Sequence, residues 1–198
     1  MMITLHPLKL TGNWQEGFAL DVHTVKSTFL GYDEYGHDVF DTQRSPIGEL
    51  LYKLKYKADK TAIKEIVAAA SNFLVSNWKV NVDAIVPVPP SKTNRTLQPV
   101  IVIAKGISAS LKIPYVEALV KTKGTPELKN IFDYQQRSEL LKDAFKIRSP
   151  EVKGKNILLF DDLFRSGATF NAITQVLYDV GKVKKVYVLS LTKTRSLS

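Results

Sequence analysis

The residues best suited to chemistry lie in one short stretch, residues 157–169. Four apolar residues lead into two adjacent carboxylates, Asp161 and Asp162, and a four-residue gap then leads to a Gly-Ala-Thr string at 167–169. Adjacent carboxylates can accept hydrogen bonds from sugar hydroxyls, or face a bound Mg²⁺ or a developing cation. The stretch therefore predicts a site that contains a hydroxyl-bearing or cationic centre.

The same stretch predicts an anion site beside the two acids. A loop that leads into a helix N-terminus presents unpaired backbone N–H groups and the positive end of the helix dipole, which favour a phosphate. Gly167 lets the backbone close around an anion, and the hydroxyls of Ser166 and Thr169 can add hydrogen bonds. Because carboxylates repel a phosphate, we expect the acids and the loop to hold different parts of one ligand.

Two other interpretations of this stretch compete with a ligand site. The acids could simply cap a turn before a helix, which explains any one of these residues but explains the whole string poorly. An apolar strand that ends in acids also occurs in P-loop enzymes. Those enzymes need a G-x-x-x-x-G-K-[ST] loop, and the sequence contains none, so the P-loop interpretation is excluded.

Strands and helices alternate around this stretch from residue 82 onward. Apolar runs predict strands at residues 82–86, 115–120, 155–160 and 185–191, and helical spacing predicts helices at residues 99–111 and 168–181. Such alternation with short connections predicts an α/β fold, a parallel twisted sheet with helices on both faces. Ligands bind such sheets at the carboxyl ends of the strands, where the two acids lie.

The amino-terminal part has a different pattern. Residues 17–30 and 37–42 are β-like and flank a polar loop, which predicts a hairpin. Ser45 followed by Pro46 is typical of a helix N-cap and first helical position. We therefore divide the chain into a β-hairpin appendage, residues 1–44, and a main domain, residues 45–198.

Charge separates the same two parts. The chain has 198 residues, with 28 Lys and Arg against 19 Asp and Glu, and a formal net charge of +9. Residues 1–50 carry a net charge of −4 and residues 51–198 a net charge of +13. A positive field of this size favours phosphate-bearing partners, either a small phosphorylated substrate or a nucleic acid. The three histidines, His6, His23 and His37, lie outside the motif, and we assign them no catalytic role.

Composition also excludes several classes of protein. The chain has no cysteine, which excludes a disulfide scaffold, a cysteine-type zinc site and a thiol nucleophile. No apolar run approaches the roughly 20 residues needed to cross a bilayer. The start of the sequence lacks the pattern of a signal peptide, so we expect a cytoplasmic protein with no membrane partner.

In its order of residue types, the stretch at 157–169 resembles the phosphoribosylpyrophosphate (PRPP) motif of type I phosphoribosyltransferases. That motif has four apolar residues, two acids, two apolar residues, two variable residues, Gly, a small residue and Thr, and this sequence matches every position. The resemblance implies that Asp161 and Asp162 are the catalytic acids and hold the ribose 2- and 3-hydroxyls. It assigns the ribose 5-phosphate to Arg165, Ser166, Gly167, Ala168 and Thr169.

Other stretches carry a narrower resemblance, to the ComF-type phosphoribosyltransferase-like proteins linked to DNA uptake in bacteria. Residues 83–90 resemble their pyrophosphate loop, residues 54–56 (Leu-Lys-Tyr) resemble an early helix signature, and Arg137 with residues 141–145 resembles an Arg-rich stretch. ComF-type proteins usually begin with a Cys-rich zinc module. Here an acidic hairpin stands in its place, which puts a role in DNA uptake in doubt.

The two resemblances also imply further contacts with the ligand. Pyrophosphate is assigned to the loop residues Val88, Pro89, Pro90, Ser91 and Lys92. The polar segment at 121–140 corresponds to a flexible hood that closes over PRPP, with Lys121, Lys123 and Arg137 as its cations. No residue is assigned as a direct metal ligand, because Mg²⁺, the implied cofactor, bridges PRPP and keeps several waters.

The implied function is transfer of the phosphoribosyl group to a nitrogen acceptor, a glycosyltransferase reaction, with PRPP or a ribose 5-phosphate nucleotide as the bound partner. Two alternatives stay open. One is a non-enzymatic protein of the same fold that binds single-stranded nucleic acid in DNA uptake or processing. The other is a regulator that senses PRPP without turnover. Dimers are common in this fold, so a homodimer is a further expectation, whereas the acceptor is not specified.

Overall fold

A computed structural model of the chain describes residues 3–90, 97–122, 134–141 and 143–195. Its strands are β1 (Leu8–Lys9), β2 (Glu16–Val22), β3 (Thr24–Tyr32), β4 (Asp38–Arg44), β5 (Ala84–Pro87), β6 (Leu119–Lys121), β7 (Phe145–Ile147), β8 (Asn156–Phe164) and β9 (Lys185–Lys193). Its helices are α1 (Pro46–Tyr56), α2 (Thr61–Asn72), α3 (Pro99–Leu111), α4 (Tyr134–Leu141) and α5 (Ala168–Asp179). A π-helical turn, Phe73–Trp78, continues α2, and a 3-10 turn, Pro150–Val152, precedes β8.

Five strands form the central sheet, in the order β1-β2-β9-β8-β5. Strands β2, β9, β8 and β5 are parallel to their neighbours, and β1 is antiparallel at the edge. Strand β8 is paired on both sides, and its residues 157–160 are fully buried. The structure thus confirms the predicted α/β fold with a mostly parallel sheet.

Helices cover both faces of this sheet. Side chains alternate along β8, so Leu158 and Phe160 pack among the buried residues of α1, α2 and α3. Ile157 and Leu159 point the other way and pack against α5. In the part of the chain that the structure describes, no helix has the length and apolar character needed to cross a membrane.

The amino-terminal segment differs from the prediction of a separate hairpin over residues 1–44. The hairpin exists as β3 and β4, with Phe29 opposite Phe40. Strand β2 instead belongs to the central sheet, where it pairs with β9, and its Ala19 and Leu20 are fully buried. Since β2 is parallel to β8, the hairpin leaves the sheet at the edge that carries Asp161 and Asp162.

Helix α1 begins as predicted and is tied to that edge. The Ser45 Oγ accepts a hydrogen bond from the Gly48 N–H at 3.1 Å, and Pro46 is the first helical residue. The Ser45 hydroxyl also donates to the Val22 carbonyl at the end of β2. Any Cβ at Gly48 would lie 2.3 Å from the His23 carbonyl oxygen, so this position requires glycine for close approach. The first turn of α1 is therefore fixed against the end of β2.

Trp14, in the segment before β2, braces the connection between β8 and α5. The Trp14 side chain is buried, and its ring centroid lies 6.4 Å from that of Phe164 and 5.9 Å from that of Phe170. The neighbouring Asn13 N–H donates to Asn171 Oδ1 of α5 at 2.9 Å. The amino-terminal segment thus supports the stretch that carries the sequence motif.

We predict that Trp14→Ala lowers the free energy of unfolding by about 3–5 kcal/mol, because it leaves a cavity against two phenylalanine rings. Urea denaturation followed by circular dichroism measures the change. Tyr35→Ala is the matched aromatic control: Tyr35 is 76% exposed, so its loss should change the free energy by less than about 0.5 kcal/mol. Equal effects of the two substitutions would contradict the bracing role of Trp14.

Candidate functional site

Strand β8 carries both acids of the motif to the carboxyl edge of the sheet. It continues past its predicted end at Phe160 as far as Phe164, because Leu163 and Phe164 still pair with β9. Asp161 and Asp162 therefore lie within a hydrogen-bonded strand rather than in a loop, and both are partly buried. Their backbone positions are set by the sheet.

Asp162 forms an ion pair with Lys55, a residue of α1. The Lys55 Nζ lies 2.8 Å from Asp162 Oδ2, and the two side chains are only 14% and 13% exposed. Asp162 is on the face of β8 that α1 covers, as strand alternation requires. Because water screens this pair less than it screens a surface pair, the attraction holds the Asp162 carboxylate in place.

The backbone of Asp162 is held as well, by a relay of two side chains. The Thr192 hydroxyl donates to the Asp162 carbonyl oxygen at 3.1 Å, and His23 Nδ1 lies 3.3 Å from the same hydroxyl. Since a carbonyl only accepts, the hydroxyl proton goes to Asp162, and His23 Nδ1 must donate to Thr192. Burial, followed by the charges of Lys55 and Arg44, lowers the pKa of His23. The imidazole is therefore neutral, with Nε2 unprotonated.

Asp161 has a different environment from its neighbour. Burial, and then the negative charge of Asp162, raise the pKa of Asp161 to about 8. The Asp162 N–H donates to Asp161 Oδ1 at 2.8 Å, which opposes this shift but does not cancel it. The ammonium of Lys55 contacts Asp162 directly, so Asp161 is the member of the pair that keeps its proton near neutral pH.

The loop after β8 leads into α5 as the motif predicts. Gly167 has φ +82°, in the left-handed region that favours glycine, and it is the N-cap of α5, which begins at Ala168. A glycine N-cap offers no side chain to the first-turn N–H groups, an arrangement that suits an anion. The five predicted phosphate residues, Arg165, Ser166, Gly167, Ala168 and Thr169, are thus consecutive around this helix N-terminus.

The predicted pyrophosphate loop is only partly supplied with donors. It follows β5, and the Val88 N–H donates to the Phe160 carbonyl at 2.8 Å, which places the loop beside β8. That N–H is therefore occupied, and Pro89 and Pro90 have no N–H to give. The other two residues assigned to pyrophosphate, Ser91 and Lys92, lie outside the described residues.

The predicted hood is described in part. Lys121 ends β6, which pairs with β7 in a separate two-stranded sheet. The backbone of Arg137 lies in α4, a helix that packs against α5, and Lys123 lies outside the described residues. Closure of this segment over a ligand stays a prediction.

The side chains of the site limit how Mg²⁺ could bind there. Among the described residues, no three His, Cys, Asp or Glu side chains meet in a metal-binding cluster. The acid pair offers two carboxylates, and Lys55 already engages one of them. Such a set suits a Mg²⁺ that keeps several waters and is bound mainly by the phosphates of the ligand. The site therefore fits a metal that arrives with its substrate.

Three side chains of this site were not predicted from the sequence: His23, Lys55 and Thr192. Lys55 carries a usable signal, because it follows Ile47 and Leu51 at four-residue spacing and so continues the buried face of α1. A lysine on such a face requires a counter-charge. His23 was assigned no role because it is far from the motif in sequence, and the parallel pairing of β2 with β9 brings it behind Asp162.

We predict that Asp161→Asn stabilises the protein increasingly as pH rises. An unfolded aspartate ionises near pH 4, whereas burial keeps Asp161 protonated in the native state to about pH 8. Between these values the native state keeps a proton that the unfolded chain has lost, so the free energy of unfolding falls with rising pH. Asparagine removes this effect.

Thermal unfolding at a series of pH values measures the difference in Tm between Asp161→Asn and the wild type. The difference should grow in favour of the variant between about pH 5 and about pH 8. Asp179→Asn, an exposed substitution on α5, is the control and should show no such trend. A difference that is constant with pH would contradict the assignment of the proton to Asp161.

The chain is similar in sequence to part of several known proteins. No family model matches the chain. It is 28% identical over 114 residues, 58% of its length, to an amidophosphoribosyltransferase of Schizosaccharomyces pombe. It is 31% identical over 101 residues, 51% of its length, to an amidophosphoribosyltransferase of Methanothermobacter thermautotrophicus. The chain spans 20% of the length of each of these relatives.

Among solved structures, the chain is similar to the glutamine PRPP amidotransferase from B. subtilis in its complex with ADP and GMP. The TM-score is 0.50 and the sequence identity 18%, and the match covers 81% of this chain and 35% of that one. At this identity the likeness concerns the fold. Together with the parallel sheet and the β8–loop–α5 segment, it shows that this chain has a type I phosphoribosyltransferase fold.

Proposed function

We propose that this protein binds PRPP with Mg²⁺ and transfers its phosphoribosyl group to a nitrogen acceptor. The observation that carries the proposal is the segment from β8 to α5, in which two carboxylates and a glycine-capped helix N-terminus follow one another at the carboxyl edge of the sheet. A phosphorylated sugar is a ligand that uses both features, since its hydroxyls suit the acids and its phosphate suits the helix N-terminus.

The two ends of the ligand then have separate partners. The 5-phosphate lies against the backbone N–H groups at the start of α5, with the Ser166 and Thr169 hydroxyls beside it. The ribose hydroxyls lie against Asp161 and Asp162. Lys55 balances the charge of Asp162, and Asp161 is protonated, so the acid pair repels the phosphates of PRPP less than two bare carboxylates would.

The transfer reaction makes one bond and breaks one at C1 of the ribose. The C1–O bond to pyrophosphate breaks, the nitrogen of the acceptor forms a bond to C1, and positive charge develops on the ribose ring between these events. Bound Mg²⁺ would neutralise charge on the departing pyrophosphate. The protein holds the ring, and the Asp162 carboxylate would favour the positive charge that develops on it.

The relatives agree with chemistry of this class but leave the acceptor open. The two relatives compared are named amidophosphoribosyltransferases, and PRPP appears in the name of the structural neighbour. This chain spans a fifth of each relative, so their acceptor is not carried over. PRPP binding without turnover and nucleic-acid binding in DNA uptake or processing are the alternatives that a turnover assay separates from the proposal.

We predict that the double substitution Asp161→Asn and Asp162→Asn weakens binding of PRPP with Mg²⁺ at least about 100-fold, because the ribose hydroxyls lose the Asp162 carboxylate and the Asp161 carboxyl group as hydrogen-bond partners. Isothermal titration calorimetry measures the Kd. Chelation of Mg²⁺ should abolish binding by the wild type, and Asp179→Asn should leave the Kd unchanged. Wild-type affinity in the double variant would contradict the site. Release of pyrophosphate only when a nitrogen acceptor is present would establish transfer.

A second prediction concerns the phosphate loop. Gly167→Ala forces alanine into φ +82° and places its Cβ 3.0 Å from the Phe164 ring, so PRPP affinity and stability should both fall. Gly154→Ala is the control, because Gly154 also has a positive φ, +72°, but lies in open space. Each should cost about 1–2 kcal/mol of backbone strain in urea denaturation. Gly167→Ala alone should reduce PRPP affinity, and equal Kd values for the two variants would contradict this loop as the phosphate site.

A further inference from the structure

We infer that Lys55 is a positioning residue of the PRPP site: its ammonium holds the Asp162 carboxylate in place as the acceptor for a ribose hydroxyl. This inference rests on the proposed function and deepens it. Lys55 lies on α1, far from the motif in sequence, so the motif alone does not contain the complete site.

The contact between Lys55 and Asp162 orients the carboxylate without using all of its acceptor positions. Lys55 Nζ reaches Oδ2 at 2.8 Å, and a carboxylate has about four acceptor positions, so one ammonium leaves room for a ligand hydroxyl. The carbonyl of the same residue accepts from Thr192, which is linked to His23. Asp162 is therefore held at its side chain from α1 and at its backbone from β9, so its carboxylate is in place before a ligand arrives.

Helix α1 is a rigid support for the lysine. Leu51, one turn before Lys55, and the adjacent Leu54 are buried in the core. At the other end of the helix, Ser45 is bonded to β2, and the Arg44 guanidinium lies 3.8 Å from the centroid of the Tyr52 ring. Movement of the Lys55 ammonium away from Asp162 would require movement of the packed helix or a change of side-chain rotamer.

The charges around the pair assign a definite role to the ammonium. The titratable and charged groups that face it and its neighbours are Glu49 on α1, His23 and Arg44 at the ends of the hairpin, and Asp161 and Asp162 on β8. With His23 neutral and Asp161 protonated, Lys55 and Asp162 balance each other. Removal of the ammonium takes away a charge that lowers the pKa of Asp161, so Asp161 then keeps its proton to higher pH.

The test compares Lys55→Met, Lys55→Arg and the control Lys53→Met, which removes a lysine from an exposed position of the same helix. Circular dichroism and thermal unfolding first establish that each variant is folded. Calorimetry then measures the Kd for PRPP with Mg²⁺ between about pH 5 and about pH 9. Carboxyl-carbon NMR of the aspartates, in the absence of PRPP, measures their titration in the wild type and in Lys55→Met.

We expect Lys55→Met to weaken PRPP binding by about 10- to 100-fold near neutral pH. The pH at which binding is half-maximal should move upward, and Asp161 should titrate at higher pH. Lys55→Arg should restore much of the affinity and the original pH profile, and Lys53→Met should match the wild type. A purely structural role would lower affinity equally at every pH and would not move this midpoint.

Two results would overturn the inference, and they are distinguishable. Wild-type protein that binds PRPP, together with a folded Lys55→Met variant of unchanged Kd and pH profile, removes the role of Lys55 and leaves the proposed function intact. Wild-type protein that binds no PRPP removes the proposed function and this inference with it. If Lys55→Met does not fold, Lys55→Arg decides. A folded Lys55→Arg variant that has lost PRPP binding then contradicts a role that depends on the positive charge.

Discussion

Hydrogen bonding between β8 and β9 continues beyond the buried core to Phe164, and the position of each group in the site depends on it. This pairing keeps Asp161 and Asp162 in an extended strand, so that their side chains alternate and reach different surroundings. It places Thr192 of β9 against the Asp162 carbonyl. It also sets the point from which the chain turns through Gly167 into α5. A site on a central strand is held more rigidly than one on a loop.

Because of this geometry, the neighbouring aspartates Asp161 and Asp162 have different surroundings. Asp162 faces α1 and has an ammonium 2.8 Å away, whereas Asp161 is buried beside a negative charge, and its pKa is raised. One acid is held beside a positive charge, and the other keeps a proton near neutral pH. A pair of bare carboxylates would repel a phosphorylated ligand, and this arrangement lowers that repulsion while keeping a hydroxyl acceptor in place.

Much of this could be predicted from the sequence because it is local. The apolar run before Asp161, the glycine at 167 and the Ser45-Pro46 cap each specify their own structure, and the α/β alternation follows from them. The hydrogen bond that occupies the Val88 N–H could not be predicted from the sequence. The lack of an N–H group at Pro89 and Pro90, in contrast, follows from residue type alone, although the resemblance assigned both to pyrophosphate.

The remainder could not be predicted because it is set by tertiary pairing. No glycine or proline separates β2 from the hairpin at His23. The local sequence therefore does not indicate that β2 belongs to the central sheet. The partnership of Lys55 with Asp162 depends on α1 packing over β8, which no spacing along the chain encodes. Both features bring amino-terminal residues to the carboxyl edge of the sheet.

A crystal structure of the wild-type protein with PRPP and Mg²⁺ would show whether the ligand occupies this site. The 5-phosphate oxygens should lie within about 3.2 Å of backbone nitrogens at the start of α5. The ribose hydroxyls should lie at hydrogen-bond distance from carboxyl oxygens of Asp161 and Asp162, with Lys55 still paired with Asp162. A phosphate bound away from residues 165–169, or ribose hydroxyls that contact neither acid, would contradict this site.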